Sequence, residues 1–398
     1  MNNVTLSLFG ETRLFSPSRL VSAREFRGLT QKALAESLDL TSMAISGYEK
    51  GAWQPNERSI KDIAQALDFP IEWFFRDEIF QVSDEALSYR SFARMTSNLK
   101  SRSRQTWNIA ADLRTIIGES FNLPTVLLPD LSDETPEQAA NTLRKMWGLG
   151  DEPISNVVHL LESKGVAVFW TDVDSRSVDA YCNWHDEWPL VILKSLESAG
   201  ERGRFNAAHE LAHLVLHREI NIKFSGERNE DINPAFSTLP RQKMEKEAHK
   251  FAAAFLLPEN AWMNEAPLST NLDVYLKMKE YWGVSVQVML RRSYDLELLS
   301  ERQYELAMTE VSRRHWRLAE PEPVEVEHSL LHQYLFNMMA EDGEQTKDLA
   351  DKVGLNVEDL EILMPVAKYY RASGTTYIKK PTLKFIADEQ EVKVGACG

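Results

Sequence analysis

Hydrophobic positions along this chain change period several times, and each change marks an element. Between residues 19 and 75 apolar side chains recur every three to four positions in short bursts, which predicts four or five brief helices. Residues 19–26 form the first, ended by Gly28. Thr30 caps a second over 31–38, with Leu34, Ala35 and Leu38 as its stripe, and Thr41 caps a third over 42–50 that Gly51 stops. Ser59 opens a fourth carrying Ile60, Ile63, Ala64 and Leu67, and 71–75 is a further apolar segment. From about residue 80 to 135 the signal fades, apart from a helical spacing of Trp107, Ala110, Leu113, Ile117 and Phe121. Arg90, Arg94, Lys100, Arg102 and Arg104 lie here among Ser and Thr and read as a basic, DNA-adjacent helix or, the favoured reading, as a solvated face.

Further on, Thr135 and Pro136 start a helix through Ala139, Leu143, Met146 and Trp147, and Pro153 opens another that Lys164 and Gly165 close. Residues 166–170, 180–181 and 189–193 read as strands. The order is α+β. A chain of 398 residues is expected to hold two to three domains. The partition expected is an all-α module over 1–80, a helical linker over 81–135, a mainly helical domain with a small β-sheet over 136–300, and a helical C-terminal domain of unknown role over 301–398, with Pro321 and Pro323 marking a boundary.

Composition adds little to that outline, and charge somewhat more. The chain is 43% hydrophobic and 26% charged, as ordinary globular proteins are. No apolar run is long enough to span a bilayer, and the first residues lack the basic-then-apolar order of a secretory signal. Two cysteines, Cys182 and Cys397, are too few for a disulfide framework, so a cytoplasmic location is expected. Net charge is −15, yet residues 1–105 hold 14 Lys+Arg against 13 Asp+Glu, so the acidic excess falls on the rest. The acidic body argues against general affinity for nucleic acid, whereas the near-neutral N-terminal module can still bind DNA.

The chemistry is concentrated at His209-Glu210-Leu211-Ala212-His213. Residues four apart share a helix face, so the two imidazoles can grip one zinc ion while Glu210 acts as general base. Neither Gly nor Pro interrupts residues 204–218. The site needs a third protein ligand. The favoured donor is Glu247, which heads an inward stripe with Phe251 and Ala254; Glu245, on the Ala248/Ala252 side, is held in reserve. His249 is expected to be exposed. His217 lies too far along the helix from His209 to share its ion, and a buried supporting role is expected of it. Pro189 at one end and Lys194 at the other suit an edge strand beside the metal, where an extended peptide could add to the sheet.

Two resemblances extend this reading. The pattern Leu29-Thr30-Gln31, Leu34-Ala35, then Ile45-Ser46, Tyr48-Glu49-Lys50-Gly51 and Pro55 resembles the phage-repressor-like (Xre/Cro) helix-turn-helix family. That resemblance implies a phosphate contact from Gln31, a recognition surface at Thr41, Ser42, Met43 and Ser46, and a backbone contact from Lys50. The exposed recognition positions Ser42, Ala44, Ser46 and Gly47 are small, and none can make a bidentate base contact, so shape and phosphate contacts should contribute much of the discrimination. Residues 136–262 are similar to the ImmA/IrrE metallopeptidases through Asn156, Glu162 and Gly165, Val178 to Tyr181, the segment from Arg204 to His217, and the segment from Glu247 to Pro258. Ala212 stands where that family usually has Gly. The resemblance implies a zincin-like fold binding Zn2+ through His209, His213 and Glu247, with Glu210 catalytic, and cleavage of a repressor-type regulatory protein in stress, phage or mobile-element control.

The function expected is a DNA-binding regulator with a zinc-dependent endopeptidase domain. Its expected partners are a double-stranded operator, a protein substrate and a second copy of the chain, with a toxin as a further candidate and no membrane. The alternative is a transcriptional repressor or antitoxin that uses the protease fold as a sensor or partner-binding module, with little turnover. Near the C-terminus, Leu349-Ala350, Val353 and Leu355 echo Leu34-Ala35, Leu38 and Leu40, a faint pattern for a second helix-turn-helix.

Overall fold

A computed structural model of the chain describes residues 5–8, 11–79, 81–82, 96–173, 179–195, 199–218 and 241–370; Arg90, Arg94, Val178 and Cys397 lie outside the described residues. An antiparallel hairpin, β1 (Thr5–Leu8) and β2 (Glu11–Leu14), precedes four helices, α1 (Pro17–Phe26), α2 (Gln31–Ser37), α3 (Ser42–Glu49) and α4 (Glu57–Leu67), and a 3-10 turn at Ile71–Phe75. The hydroxyls of Thr30 and Thr41 accept the amides of Ala33 and Ala44, the capping that starts α2 and α3. Helix α4 begins earlier than Ser59 because Asn56 is its cap and accepts the Ser59 amide at 2.8 Å. Gly47 is buried rather than exposed. A Cβ there would lie 2.2 Å from a carbon of the Trp53 ring, so this position packs the indole and offers nothing to DNA.

A long helix, α5 (Ser97–Ser120), packs on α1 and begins ten residues before Trp107, where the apolar spacing starts. Its first turns are anchored by charge: Arg104 pairs with Glu25 at 2.6 Å and Arg102 with Asp172 at 2.9 Å. Those two arginines are therefore tied into the fold and do not form a free solvated face. Next come α6 (Pro136–Met146), with a Thr135–Gln138 capping box, and α7 (Val157–Ser163), capped by Asn156. Helix α7 does not start at Pro153, because the carbonyls of Ile154 and Ser155 are turned to accept hydrogen bonds from Arg204.

The sheet comprises β3 (Ala167–Thr171), β4 (Ala180–His185) and β5 (Trp188–Lys194), in the order β3-β5-β4, with β5 parallel to β3 and antiparallel to β4. Strand β5 is thus central, and the expected free edge at residues 189–194 does not exist. Both of its sides are paired and Pro189 to Leu193 are buried, as fits a continuous apolar run covered on both faces.

The two faces of this sheet serve different cores. Val168, Trp170, Cys182, Val191 and Leu193 join α8 (Gly200–Leu216), α9 (Arg241–Leu256), α10 (Glu259–Glu265), α11 (Leu272–Trp282), α12 (Val286–Asp295) and α13 (Glu301–Arg313). Ala307 and Val311 belong to this core, so its packing continues past residue 300. Phe169, Tyr181, Leu190 and Ile192 face the other core, which combines the N-terminal helices, α5, α14 (Leu330–Glu341), α15 (Thr346–Val353), α16 (Val357–Leu363) and a 3-10 turn at Pro365–Tyr370.

Between α13 and α14 the chain is strapped to the central domain. The Val324 carbonyl accepts the Gly200 amide at 3.1 Å, Glu327 accepts the Val157 and Val158 amides and pairs with Arg204, and Glu162 accepts the Leu330 and Leu331 amides. Where a second helix-turn-helix was expected, α15 and α16 are consecutive short helices, and Leu360 and Leu363 of the second are buried. Asp359 takes two hydrogen bonds of 2.6 Å from Arg27. This pair clamps the N-terminal module, and its second helix is not free to enter a groove.

Candidate metal centre

Helix α8 places His209 and His213 one turn apart, with their Nε2 atoms 3.2 Å from each other. Helix α9 packs across α8 and brings in Glu245, whose carboxylate oxygens lie 3.7 Å from each of the two Nε2 atoms. These are the three described side chains whose ligand atoms converge within 4.8 Å of one another. Bonds of about 2.0–2.1 Å in a tetrahedron put ligand atoms about 3.4 Å apart, so two imidazoles and this carboxylate fit zinc in both spacing and donor type.

Glu247, the favoured third donor from sequence, is elsewhere. Its Oε2 lies 3.2 Å from His217 Nε2, and Lys243 stands 3.7 Å from its other oxygen. The buried face of α9 runs through Met244, Glu245, Ala248, Phe251 and Ala252, which carries Glu245 inward and leaves Glu247 on the flank. The i, i+4, i+7 stripe assigned to Glu247 tracked Phe251 correctly but sat one helical position off the line that meets α8.

The displaced Glu247 still reaches the centre through a relay. His213 Nδ1 lies 3.0 Å from His217 Nδ1. If His213 offers its Nε2 lone pair to a metal, its proton sits on Nδ1 and is donated to His217 Nδ1. His217 then carries its proton on Nε2 and donates it to Glu247. Such chains fix the tautomer and orientation of a ligating imidazole. Burial, with His209, His217 and His249 nearby, holds the His213 pKa well below that of a free imidazole, and burial also lowers that of His217 against the pull of Glu247. Both rings are therefore neutral, the form that binds metal.

Glu210 lies inward of the two histidines, 5% exposed, against β4. Burial pushes its carboxyl up to about 8, eased by a hydrogen bond from Cys182 and reinforced by Glu245. A divalent cation alongside would favour the carboxylate. Burial likewise raises the Cys182 thiol, whose Sγ is 3.5 Å from the Glu210 carbonyl oxygen. His249 is exposed, as the helix pattern predicts, yet its ring stands edge-on to His209 at 4.6 Å between centroids and its Nδ1 is 2.8 Å from the Glu245 carbonyl. Sequence reasoning gave neither Cys182 nor His249 a place here. The spacing of Glu245 and His249, one turn apart, was the available signal for the second; nothing pointed to the first.

On the N-terminal module Thr41, Ser42, Met43 and Lys50 are exposed, with Met43 at 72%, and Ser46 is half-buried. Gln31 donates to Glu49 at 2.7 Å, and Glu49 is gripped by Arg24 at 2.5 and 3.1 Å.

Residues 18–78 match the model of a helix-turn-helix domain, and residues 161–294 that of the IrrE N-terminal-like domain, a peptidase family. The chain carries both domains. HTH-type transcriptional regulators of Sinorhizobium medicae and Rhizobium meliloti are each 37% identical to it over 60 residues, 15% of this chain and 43% of theirs. The chain thus spans less than half the length of these relatives. A solved Mycobacterium tuberculosis transcriptional regulator is 16% identical, with 46% of this chain and 51% of that one covered and a TM-score of 0.27, a likeness too slight to bear on the fold.

Proposed function

We propose that the chain is a DNA-binding regulator whose IrrE-like domain is a zinc endopeptidase acting on a regulatory protein. The observation that carries this reading is the convergence of His209, His213 and Glu245 beside the buried Glu210. Zinc, when bound, would supply Lewis-acid polarisation of a peptide carbonyl and of water. Glu210 would take the proton of the attacking water and deliver it to the leaving amine, which explains a carboxylate next to rather than among the three donors. The His217–Glu247 relay would hold His213 in its ligating tautomer. His249, exposed and edge-on to His209, would be within reach of a bound peptide.

For the N-terminal module the reading is operator binding by a symmetric pair of chains, with Thr41, Ser42, Met43 and Ser46 at the groove and Lys50 on backbone phosphate. Met43 offers an apolar contact for a thymine methyl group. Gln31 would have to leave Glu49 to reach a phosphate. The deep burial of Glu210 beneath β4 favours a second reading, in which the domain grips a partner with little turnover.

The test uses the full chain. Metal analysis of gently purified protein should give about one zinc per chain. A search for cleaved proteins in cells should find products that disappear with Glu210→Gln while its zinc stays bound. Zinc-loaded wild type that yields no cleaved partner would leave the partner-binding reading standing and remove the peptidase.

A further inference from the structure

Away from the metal centre, a cavity of about 410 Å3 opens between α5, β3 and α14. Its walls are apolar, formed among others by Ile117, Phe121, Leu123, Phe169, Leu335 and Met338. The size lies toward the lower end of small-molecule sites, which run from about 300 to 1,000 Å3 and combine apolar walls with a few polar groups.

Besides the Tyr334 phenol, Glu162, His332 and Arg114 line it, and their states differ. Glu162 is engaged by the Ser329 hydroxyl and the Leu330 and Leu331 amides, so its oxygens are already occupied. His332 is fully buried, its Nδ1 has no hydrogen-bond partner, and burial lowers its pKa to about 3, so it adds no charge. Arg114 is the cation that remains. Its guanidinium lies 4.3 Å over the Trp188 ring, and among the described residues no carboxylate stands within ion-pair distance of it. A half-buried guanidinium stacked on an indole, with no anion among the described residues, is oriented for a planar anionic group.

We infer that this cavity is a binding site for a medium-chain monocarboxylate, with the carboxylate on Arg114 and the alkyl chain among the apolar walls. A single carboxylate matches the single guanidinium that lines the cavity. The site is independent of the peptidase reading. It is also well placed to matter for the regulator, because α5 carries Arg114 on one face and packs against α1 of the N-terminal module.

The experiment is calorimetric titration of the full-length protein with sodium decanoate, below its micelle concentration, and with 1-decanol as the uncharged control. Saturable binding at one site per chain is expected, at least tenfold weaker for decanol and for Arg114→Gln, with Arg114→Lys recovering part of the affinity. Met338 is half-exposed at the cavity, so Met338→Trp should block the site without loss of fold, which circular dichroism checks. No saturable decanoate binding would overturn the proposal. So would equal binding of decanol with no effect of Arg114→Gln, or decanoate binding that a folded Met338→Trp variant leaves unchanged.

Discussion

Replacing Glu245 and Glu247 separately asks which carboxylate holds the metal. Glu245→Ala deletes the group that stands 3.7 Å from both Nε2 atoms and leaves two imidazoles 3.2 Å apart. A tetrahedral site then has two protein donors instead of three. Glu247→Ala leaves all three donors and removes only the acceptor at the far end of the His217–His213 relay. Loss of such an outer partner costs about 10–100-fold in metal affinity, which is about 1.4–2.8 kcal/mol. Loss of a ligand should exceed that range. Glu247→Gln sharpens the comparison, since the amide carbonyl can still accept the His217 Nε2 proton and should recover most of the affinity. The assay is competition between the purified full-length protein and a chromophoric zinc chelator, with circular dichroism to confirm fold. The reasoning is refuted if Glu247→Ala loses its zinc outright while Glu245→Ala competes as wild type does.

Three further outcomes are expected. Gly47→Ala would push a methyl group to 2.2 Å from the Trp53 ring and should destabilise the N-terminal module by about 1–3 kcal/mol; an unchanged thermal midpoint would contradict the packing. Arg27→Ala leaves Asp359, whose side chain is 4% exposed, buried without its cation, and should cost about 3 kcal/mol. Most of that should return in the Arg27→Ala, Asp359→Ala double variant, and additivity of the two single changes would deny the clamp. Burial raises Glu162 from 4.5 to about 7. A carboxyl raised on folding contributes stability that is present in full below pH 4.5 and lost as pH rises through about 7, a change of about 3 kcal/mol at 1.36 kcal/mol per unit. Unfolding midpoints of wild type and Glu162→Gln between pH 4 and 8 should therefore diverge, and parallel curves would exclude the assignment.

The local signals in this chain were strong where structure is local. Thr30 and Thr41 cap helices because their hydroxyls reach amides three residues on. The two histidines at i and i+4 converge because α-helix geometry leaves them no alternative. Of the small positions of α3 expected to be exposed, Ser42 is exposed, Ala44 and Ser46 are half-buried, and Gly47 is buried by a ring six residues away. Beyond such distances sequence lost its grip for identifiable reasons. Whether Glu245 or Glu247 meets the histidines depends on the rotation of α9 against α8, which the packing of Met244, Ala248 and Ala252 fixes. Whether β5 is central or an edge depends on which strands pair with it, and an apolar run ending in Lys194 fits either. Polar tethers such as Arg27 to Asp359 and Glu162 to the start of α14 span long stretches of chain, and no periodicity reports them. The sequence determined most of the helices, the caps at Thr30, Thr41 and Thr135 and the pairing of His209 with His213, because those follow from neighbours a few residues apart. Tertiary structure alone decided which carboxylate lies with the two histidines, which strand lies inside the sheet, and which cation beside an apolar cavity has no carboxylate partner among the described residues, because each is a question of how one element is turned against another.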